Sequence, residues 1–168
     1  LKTTHNLYLK TVLKKESWLL DVPHYHDSLE LIYLIEGRTK IYLGGSFHEL
    51  ETGDIFLCNP QQVHFYENDD SPRLAFCVVA SDEYTHNFRE YYKNALFPSL
   101  LKDKEKNKQI YNLLAEWFEH KDRSFLVDCA YADLLLDKII KLYNFAPIET
   151  EDPMNSLAIE MINYITEN

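Results

Sequence analysis

Apolar residues in the first half of the chain recur at every second position, in short runs separated by turn residues. A two-residue period puts alternate side chains on opposite faces of a strand, so it predicts strands with a buried face. Gly44-Gly45 is a pair that permits positive φ in a hairpin, and Asn59-Pro60 ends a strand because proline cannot donate to a ladder. Seven or eight short strands at this spacing indicate a sandwich or a barrel. The candidates are residues 7–13, 18–20, 29–35, 39–43, 47–50, 55–58, 63–67 and 74–80.

After about residue 81 the apolar period changes to that of a helix. Ile110, Leu114 and Trp117 share one face of a predicted amphipathic helix. A longer helix is predicted over residues 124–145, with Ser124 as its N-cap, and residues 82–95 are predicted to be helical as well. The fold class is therefore mainly β with C-terminal helices, an α+β chain.

Charge and cysteine content narrow the function classes. The net charge is −10, from 17 basic and 27 acidic residues, so the chain is not expected to bind a phosphate backbone unaided. The three cysteines include no CxxC pair, which indicates reduced thiols and a cytoplasmic protein. No apolar stretch approaches the roughly 20 residues of a membrane span, and no secretory signal peptide is recognisable.

The composition shifts near the end of the chain. Residues 146–153 contain two prolines and three acids, which is typical of a linker. Residues 154–168 follow with an apolar stripe of helical period and no later element to cover it. We therefore predict that this stripe is the first element of a further domain. Residues 146–168 contain five acids and neither Lys nor Arg, so this chain alone is not expected to bind DNA.

The strongest chemical signal is a cluster of histidines and one glutamate. His24, His26 and Glu30 are separated by even numbers of residues, so an extended segment points all three to one face. His64 comes from a later predicted strand, and residues in register with these positions share the barrel interior. We predict one ligand pocket, lined by His24, His26, Glu30, Ile32, His64 and Tyr66.

The same cluster is a candidate metal site. Two or three imidazoles and one carboxylate suit Zn, Ni, Fe or Mn. The candidate ligands are His24, His26, Glu30 and His64. Two alternatives remain open at this stage: the histidines are satisfied structural groups, or Glu30 only orients His26 or pairs with a basic residue.

These residues resemble the two sequence motifs of the cupin superfamily. In the second motif Gly53, His64 and Asn68 match, whereas Pro60 is displaced by one residue and a second glycine is absent. All four positions of the first motif match, namely His24, His26, Glu30 and Gly37. The resemblance covers residues 20–68 and implies a double-stranded β-barrel.

A narrower resemblance extends along the whole chain. Residues 24–37 and 52–60, followed by His64, resemble the N-terminal effector domain of AraC-type transcription regulators, and residues 162–168 are similar to the end of the first helix of their DNA-binding unit. The resemblance implies a cupin barrel (1–81), an antiparallel helical dimerisation segment (82–145), a linker (146–153) and a truncated helix-turn-helix domain (154–168).

The function implied is a ligand-sensing and dimerisation domain. A small polar effector, for example a sugar, would enter the barrel and control the attached helix-turn-helix domain, which alone would contact DNA. This interpretation expects no enzymatic activity, no membrane partner and no cofactor other than the divalent metal considered above. The alternative is a metal-dependent cupin enzyme, a dioxygenase or an isomerase, that uses the same four ligands.

The predicted long helix carries two apolar stripes, whereas a surface helix needs one. One stripe would pack on the same chain, and the other would meet its copy in a homodimer, as the family resemblance implies. The residues expected at that interface are Tyr131, Leu134, Leu135, Lys138 and Leu142. The alternative is that helices of the same chain cover both stripes.

Overall fold

The computed structural model of the chain describes residues 2–3, 7–13, 22–67, 72–92, 97–145 and 164. The predicted strand at 18–20 and the predicted linker lie outside the described residues, as does the predicted final helix apart from residue 164. The strands are β1 (Lys2–Thr3), β2 (Leu7–Leu13), β3 (Tyr25–His26), β4 (Leu29–Glu36), β5 (Arg38–Leu43), β6 (Ser46–Glu51), β7 (Ile55–Cys58), β8 (His64–Tyr66), β9 (Leu74–Ala80) and β10 (Leu100–Leu101). The helices are α1 (Asp82–Tyr91), α2 (Lys104–Glu119) and α3 (Phe125–Tyr143).

Two antiparallel sheets make up most of the β structure. The larger sheet has the order β10-β7-β4-β9-β2, and the smaller has the order β6-β5-β8. β1 pairs with β3 in parallel, and a bridge between His24 and His64 joins the start of β3 to β8. The structure confirms the predicted fold class, mainly β with C-terminal helices.

Most element bounds agree with the periodicity of the sequence. β2, β7 and β9 coincide with their predicted ranges, and the other predicted strands that the structure describes agree within one or two residues. Ser124 is the N-cap of α3, as predicted, and its side chain accepts a hydrogen bond from the backbone N–H of Val127. β1, β3 and β10 were not predicted, because a strand of two residues is too short to show alternation.

Glycine is required where β4 turns into β5. Gly37 has a φ of +91°, and a Cβ atom at this position would lie 2.2 Å from the carbonyl oxygen of Pro72. Any other residue at this position would therefore clash with the backbone of Pro72, and its own backbone would be strained at this positive φ. This turn carries the chain from the larger sheet into the smaller one, where β5 pairs with the strand that carries His64.

The alternating side chains of β4 separate two hydrophobic clusters. Leu31 and Tyr33 belong to an outer cluster, in which the larger sheet packs against the helices. Ile32 and Leu34 belong to an inner cluster, which fills the space between the two sheets. The outer cluster is centred on Leu31, Leu57, Val78, Ile110, Leu114, Trp117, Leu136 and Ile139, and the inner cluster on Ile32, Ile41, Leu50, Phe56, Cys58, Tyr66 and Cys77.

Helix α3 packs against both α1 and α2, so the two apolar stripes are largely covered within one chain. Leu135, expected at a dimer interface, is instead only 3% exposed, because that side of α3 packs in the outer cluster with residues of the larger sheet and of the other helices. Tyr131 stacks on Trp117 at 5.7 Å between ring centroids. Leu134 remains 55% exposed. None of the described helices combines the length and hydropathy needed to cross a membrane.

A candidate metal centre inside the barrel

The structure brings five of the six predicted pocket residues into one cluster between the sheets and places the sixth in the adjoining inner cluster. One ligand atom each from His24, His26, Glu30 and His64 lies within 4.8 Å of the others, and all four side chains are buried. The hydroxyl of Tyr66 donates a hydrogen bond to Glu30. The sixth residue, Ile32, follows Glu30 by two positions on β4 and lies in the inner cluster.

Backbone carbonyl groups orient the three imidazole rings. A carbonyl oxygen only accepts hydrogen bonds, so each Nδ1 in contact with one carries the proton, and the Nε2 of a neutral ring keeps a free lone pair. This is the orientation that outer hydrogen bonds impose on metal-binding histidines. The contacts are His24 with Val22 at 3.0 Å, His26 with Ser28 at 2.9 Å and His64 with Gln62 at 2.9 Å.

Glu30 lies at the centre of this cluster. Its Oε2 atom is 2.9 Å from Nε2 of His26 and 3.4 Å from Nε2 of His64. A lone pair on each Nε2 would repel the carboxylate, so a proton or a cation is needed between them. Within the described residues, the fully buried Nε2 of His64 has no hydrogen-bond partner.

The electrostatics of the cluster favour a positive charge beside Glu30, either a metal ion or a proton on His64. Burial alone would lower the pKa of His64, but its contacts with Cys58 and Glu30 raise that pKa well above its usual range. Burial lowers the pKa of His24 to about 4, and the neighbouring His64 adds to this effect, so His24 is a neutral ligand near pH 7. Burial alone would raise the pKa of Glu30, but hydrogen bonding to His26 and the proximity of His64 hold that pKa well below its usual range. Burial and the charge of Glu30 raise the pKa of Tyr66 well above its usual range, so its hydroxyl remains a donor.

The donor set fits a divalent transition metal. Three imidazole nitrogens and one carboxylate oxygen are ligands that Zn, Ni, Fe and Mn accept. The alternative in which Glu30 only orients His26 is met by their hydrogen bond, and a protonated His64, at 3.4 Å from the same oxygen, would be the basic partner of the second alternative. Within the described residues, however, Nε2 of His64 forms no hydrogen bond of acceptable geometry. A metal ion would satisfy Glu30 and all three imidazoles together.

Two residues beside the cluster were missed by the sequence analysis. The sulfur of Cys58 lies 3.0 Å from Nδ1 of His64, and burial raises the pKa of this thiol. The Asn59 side chain forms two hydrogen bonds of 2.8 Å with the backbone of Phe97, one as donor and one as acceptor. The pairing of Cys58 with Glu30 depends on the register between β7 and β4, which local periodicity does not reveal.

The comparisons with known proteins agree with this architecture. A family model described as AraC-like ligand binding domain matches residues 18–128. Among solved structures, the AraC-like transcriptional activator CuxR matches with a TM-score of 0.52 and 10% identity, over 74% of this chain and 45% of that one. Apo ToxT K231A from Vibrio cholerae strain SCE256 matches with a TM-score of 0.53 and 11% identity, over 90% of this chain and 62% of that one. At such identities these likenesses show the fold alone.

A curated relative covers a shorter region. An uncharacterized protein of Aquifex aeolicus (strain VF5) is 30% identical over 61 residues, which are 36% of this chain and 50% of that protein. The chain thus spans between 45% and 62% of the length of these three proteins.

Proposed function

The chain belongs to the AraC-like ligand-binding domain family, with a cupin-type barrel, and from this premise we propose that the cluster of His24, His26, Glu30 and His64 is its ligand site. The observation that carries the proposal is the convergence of these four buried donor atoms within 4.8 Å. A site of this kind inside a regulatory ligand-binding domain serves to sense a ligand.

The first ligand that we propose is a divalent transition metal ion, held by these four residues. When bound, the ion supplies a positive charge that neutralises Glu30 and attracts oxygen or nitrogen donors. The chain itself holds the imidazoles by their carbonyl contacts and fixes Glu30 through Tyr66.

A small polar effector such as a sugar remains a prediction, and the same six residues would contact it. Ile32, Phe56 and Tyr66 below the cluster are packed together and almost completely buried. A sugar ring would have to displace these side chains, whereas an ion needs only the space among the donor atoms. The geometry therefore supports an ion better than a sugar at the cluster.

The roles of the helices and of the C-terminal residues are proposals that rest on the family. We propose that α3 forms a homodimer through the predicted residues other than Leu135, supported by the exposure of Leu134 and by Leu126, which is 77% exposed. Residues 154–168 would begin the helix-turn-helix domain that controls transcription. The cytoplasmic location stays a prediction from the cysteine content.

A metal-dependent enzyme remains the second candidate, because the same donor set would serve a dioxygenase or an isomerase. Membership of a ligand-binding domain family favours the sensor. A turnover assay with metal-loaded protein separates the two functions: sustained conversion of a candidate substrate would favour the enzyme, and saturable binding without conversion would favour the sensor.

The experiment that tests the site is elemental analysis of protein purified without chelators, followed by calorimetric titration with Zn²⁺, Ni²⁺ and Mn²⁺. We expect one bound ion per chain and, in His64→Ala, an affinity at least about 100-fold lower. His86→Ala is the matched control, because His86 is exposed on α1 and lies outside the cluster. Absence of stoichiometric binding by the unmodified protein would overturn the metal site.

A further inference from the structure

We propose that Tyr66 is a positioning residue that restricts Glu30 to one metal-binding oxygen, so that the site presents four donor atoms and prefers Zn²⁺ over Mn²⁺. This inference rests on the metal site of the proposed function. It concerns the role of Tyr66, which is not itself a metal ligand.

The two carboxylate oxygens of Glu30 have different surroundings. Oε2 faces the imidazoles, at 2.9 Å from Nε2 of His26 and 3.4 Å from Nε2 of His64. Oε1 accepts the hydrogen bond from the Tyr66 hydroxyl. The carboxylate is therefore turned so that one oxygen is directed into the cluster and the other is engaged by Tyr66.

Tyr66 is held firmly in this position. It lies on β8, where it pairs with Ile41 of β5, and its side chain is buried in the inner cluster. Its ring packs edge-on against Phe56 and against His64, with ring centroids 6.1 Å and 5.9 Å apart and interplanar angles of 86° in both cases. A ring enclosed in this way keeps its hydroxyl on Glu30 without a large entropic cost at the time of metal binding.

The number of oxygens that Glu30 provides affects which ion is preferred. A carboxylate can bind a metal through one or both oxygens. With one oxygen engaged by Tyr66, three imidazole nitrogens and one carboxylate oxygen remain. Because all four side chains are buried, water has little access to complete a larger shell, so this set matches the four-coordinate preference of Zn²⁺. Mn²⁺ favours a larger, oxygen-rich set. Without the hydroxyl, Oε1 would be buried and unsatisfied, so it would gain by turning toward the ion as a fifth donor.

The test compares Tyr66→Phe with the unmodified protein in titrations with Co²⁺, Zn²⁺ and Mn²⁺. Four-coordinate Co²⁺ absorbs visible light much more strongly than Co²⁺ with five or six ligands. We expect strong Co²⁺ bands in the unmodified protein, weaker bands in Tyr66→Phe, and a Zn²⁺/Mn²⁺ affinity ratio at least about tenfold lower in the variant. Tyr33→Phe is the matched control, because Tyr33 is buried in the outer cluster, on the opposite face of β4 from Glu30. It should leave both readouts unchanged.

The possible results distinguish a failure of the positioning role of Tyr66 from a failure of the proposed metal site. If Tyr66→Phe keeps the Co²⁺ spectrum and the affinity ratio of the unmodified protein, the positioning role is wrong and the metal site stands. If the unmodified protein takes up no Co²⁺, the metal site fails and this inference fails with it. Should Tyr66→Phe not fold, Tyr66→Met replaces it, because methionine fills irregular core space and also lacks the hydroxyl. A merely structural role for Tyr66 would lower stability and leave the affinity ratio unchanged.

Discussion

The two faces of the single strand β4 take part in different kinds of interaction. On the outer face, Leu31 and Tyr33 pack with the helices in an apolar cluster whose interactions are largely non-directional. On the inner face, Glu30 joins three imidazoles in a buried polar cluster whose geometry depends on individual hydrogen bonds. The outer face therefore contributes only to stability, whereas the inner face, beside the apolar residues Ile32 and Leu34, also places ligand atoms at a cost in desolvation.

Metal binding and the stability of the fold should therefore respond to different substitutions, although the residues on the two faces of β4 are neighbours in sequence. Removing an outer side chain leaves a cavity and reduces burial, but the ligands stay attached to the same strands. Removing an inner polar group leaves the apolar core intact and removes a ligand. The following predictions test how completely the two effects separate.

The largest stability effect is expected for Trp117→Ala in the outer cluster. Trp117 is completely buried on α2, and its indole N–H donates to Asp128, which would lose this partner. We expect the free energy of unfolding to fall by about 3–5 kcal/mol in urea titrations followed by circular dichroism. Gln109→Ala, at an exposed position on the same helix, should change it by less than about 0.5 kcal/mol. A loss below about 1 kcal/mol for Trp117→Ala would contradict the assignment of stability to the outer face.

The sharpest separation is expected between the neighbours Glu30 and Leu31, which point to opposite faces of β4. Glu30→Gln should weaken metal binding at least about 100-fold, because it removes the charge that the ion neutralises. Leu31→Ala should lower the free energy of unfolding by about 2–5 kcal/mol and leave the metal affinity of the folded protein within about threefold of its original value. Calorimetric titration and urea unfolding of both variants provide the measurements. Equal effects of both substitutions on both quantities would show that the two faces are not independent.

A smaller loss is expected for Asn59→Ala, next to the cluster. This substitution leaves the backbone N–H of Phe97 without its acceptor and the Phe97 carbonyl without its donor. We expect a decrease of about 1–3 kcal/mol in the free energy of unfolding. Asn87→Ala is the control, since its hydrogen bond to Asp133 is exposed and should be worth much less. Equal losses in the two variants would show that burial of the Asn59 contacts does not determine their contribution.

The smallest effect on stability is expected for Leu134→Asp, which tests the proposed homodimer. Leu134 is exposed on α3, so the fold of a single chain should change by less than about 1 kcal/mol. Sedimentation at micromolar concentration should change from dimer to monomer if this surface forms the interface. Leu135→Asp is the contrasting variant, because Leu135 is buried in the outer cluster and its substitution should unfold the chain instead. A monomeric unmodified protein would contradict the dimer.

Short-range patterns in the sequence predicted much of the fold and most of the residues that form the candidate site. The strands β2, β7 and β9 and the cap of α3 follow from local patterns, because side-chain direction alternates along an extended chain and a serine side chain can accept from the next turn. The even spacing of His24, His26 and Glu30 predicted that they come together, and their donor atoms do lie within 4.8 Å of one another, although a bend at residues 27–28 separates β3 from β4. Such features depend on residues only a few positions apart.

The sequence by itself therefore determined most of the strand pattern, the starts of α1 and α3, and the identity of the clustered histidines and glutamate. Tertiary structure alone decided that Tyr66 engages one oxygen of Glu30, that Cys58 contacts His64, and that Leu135 is buried. These contacts depend on the register between strands and on the packing of α3 between two helices. Register and helix packing arise from the sum of many weak contacts between distant parts of the chain, so no local pattern specifies them.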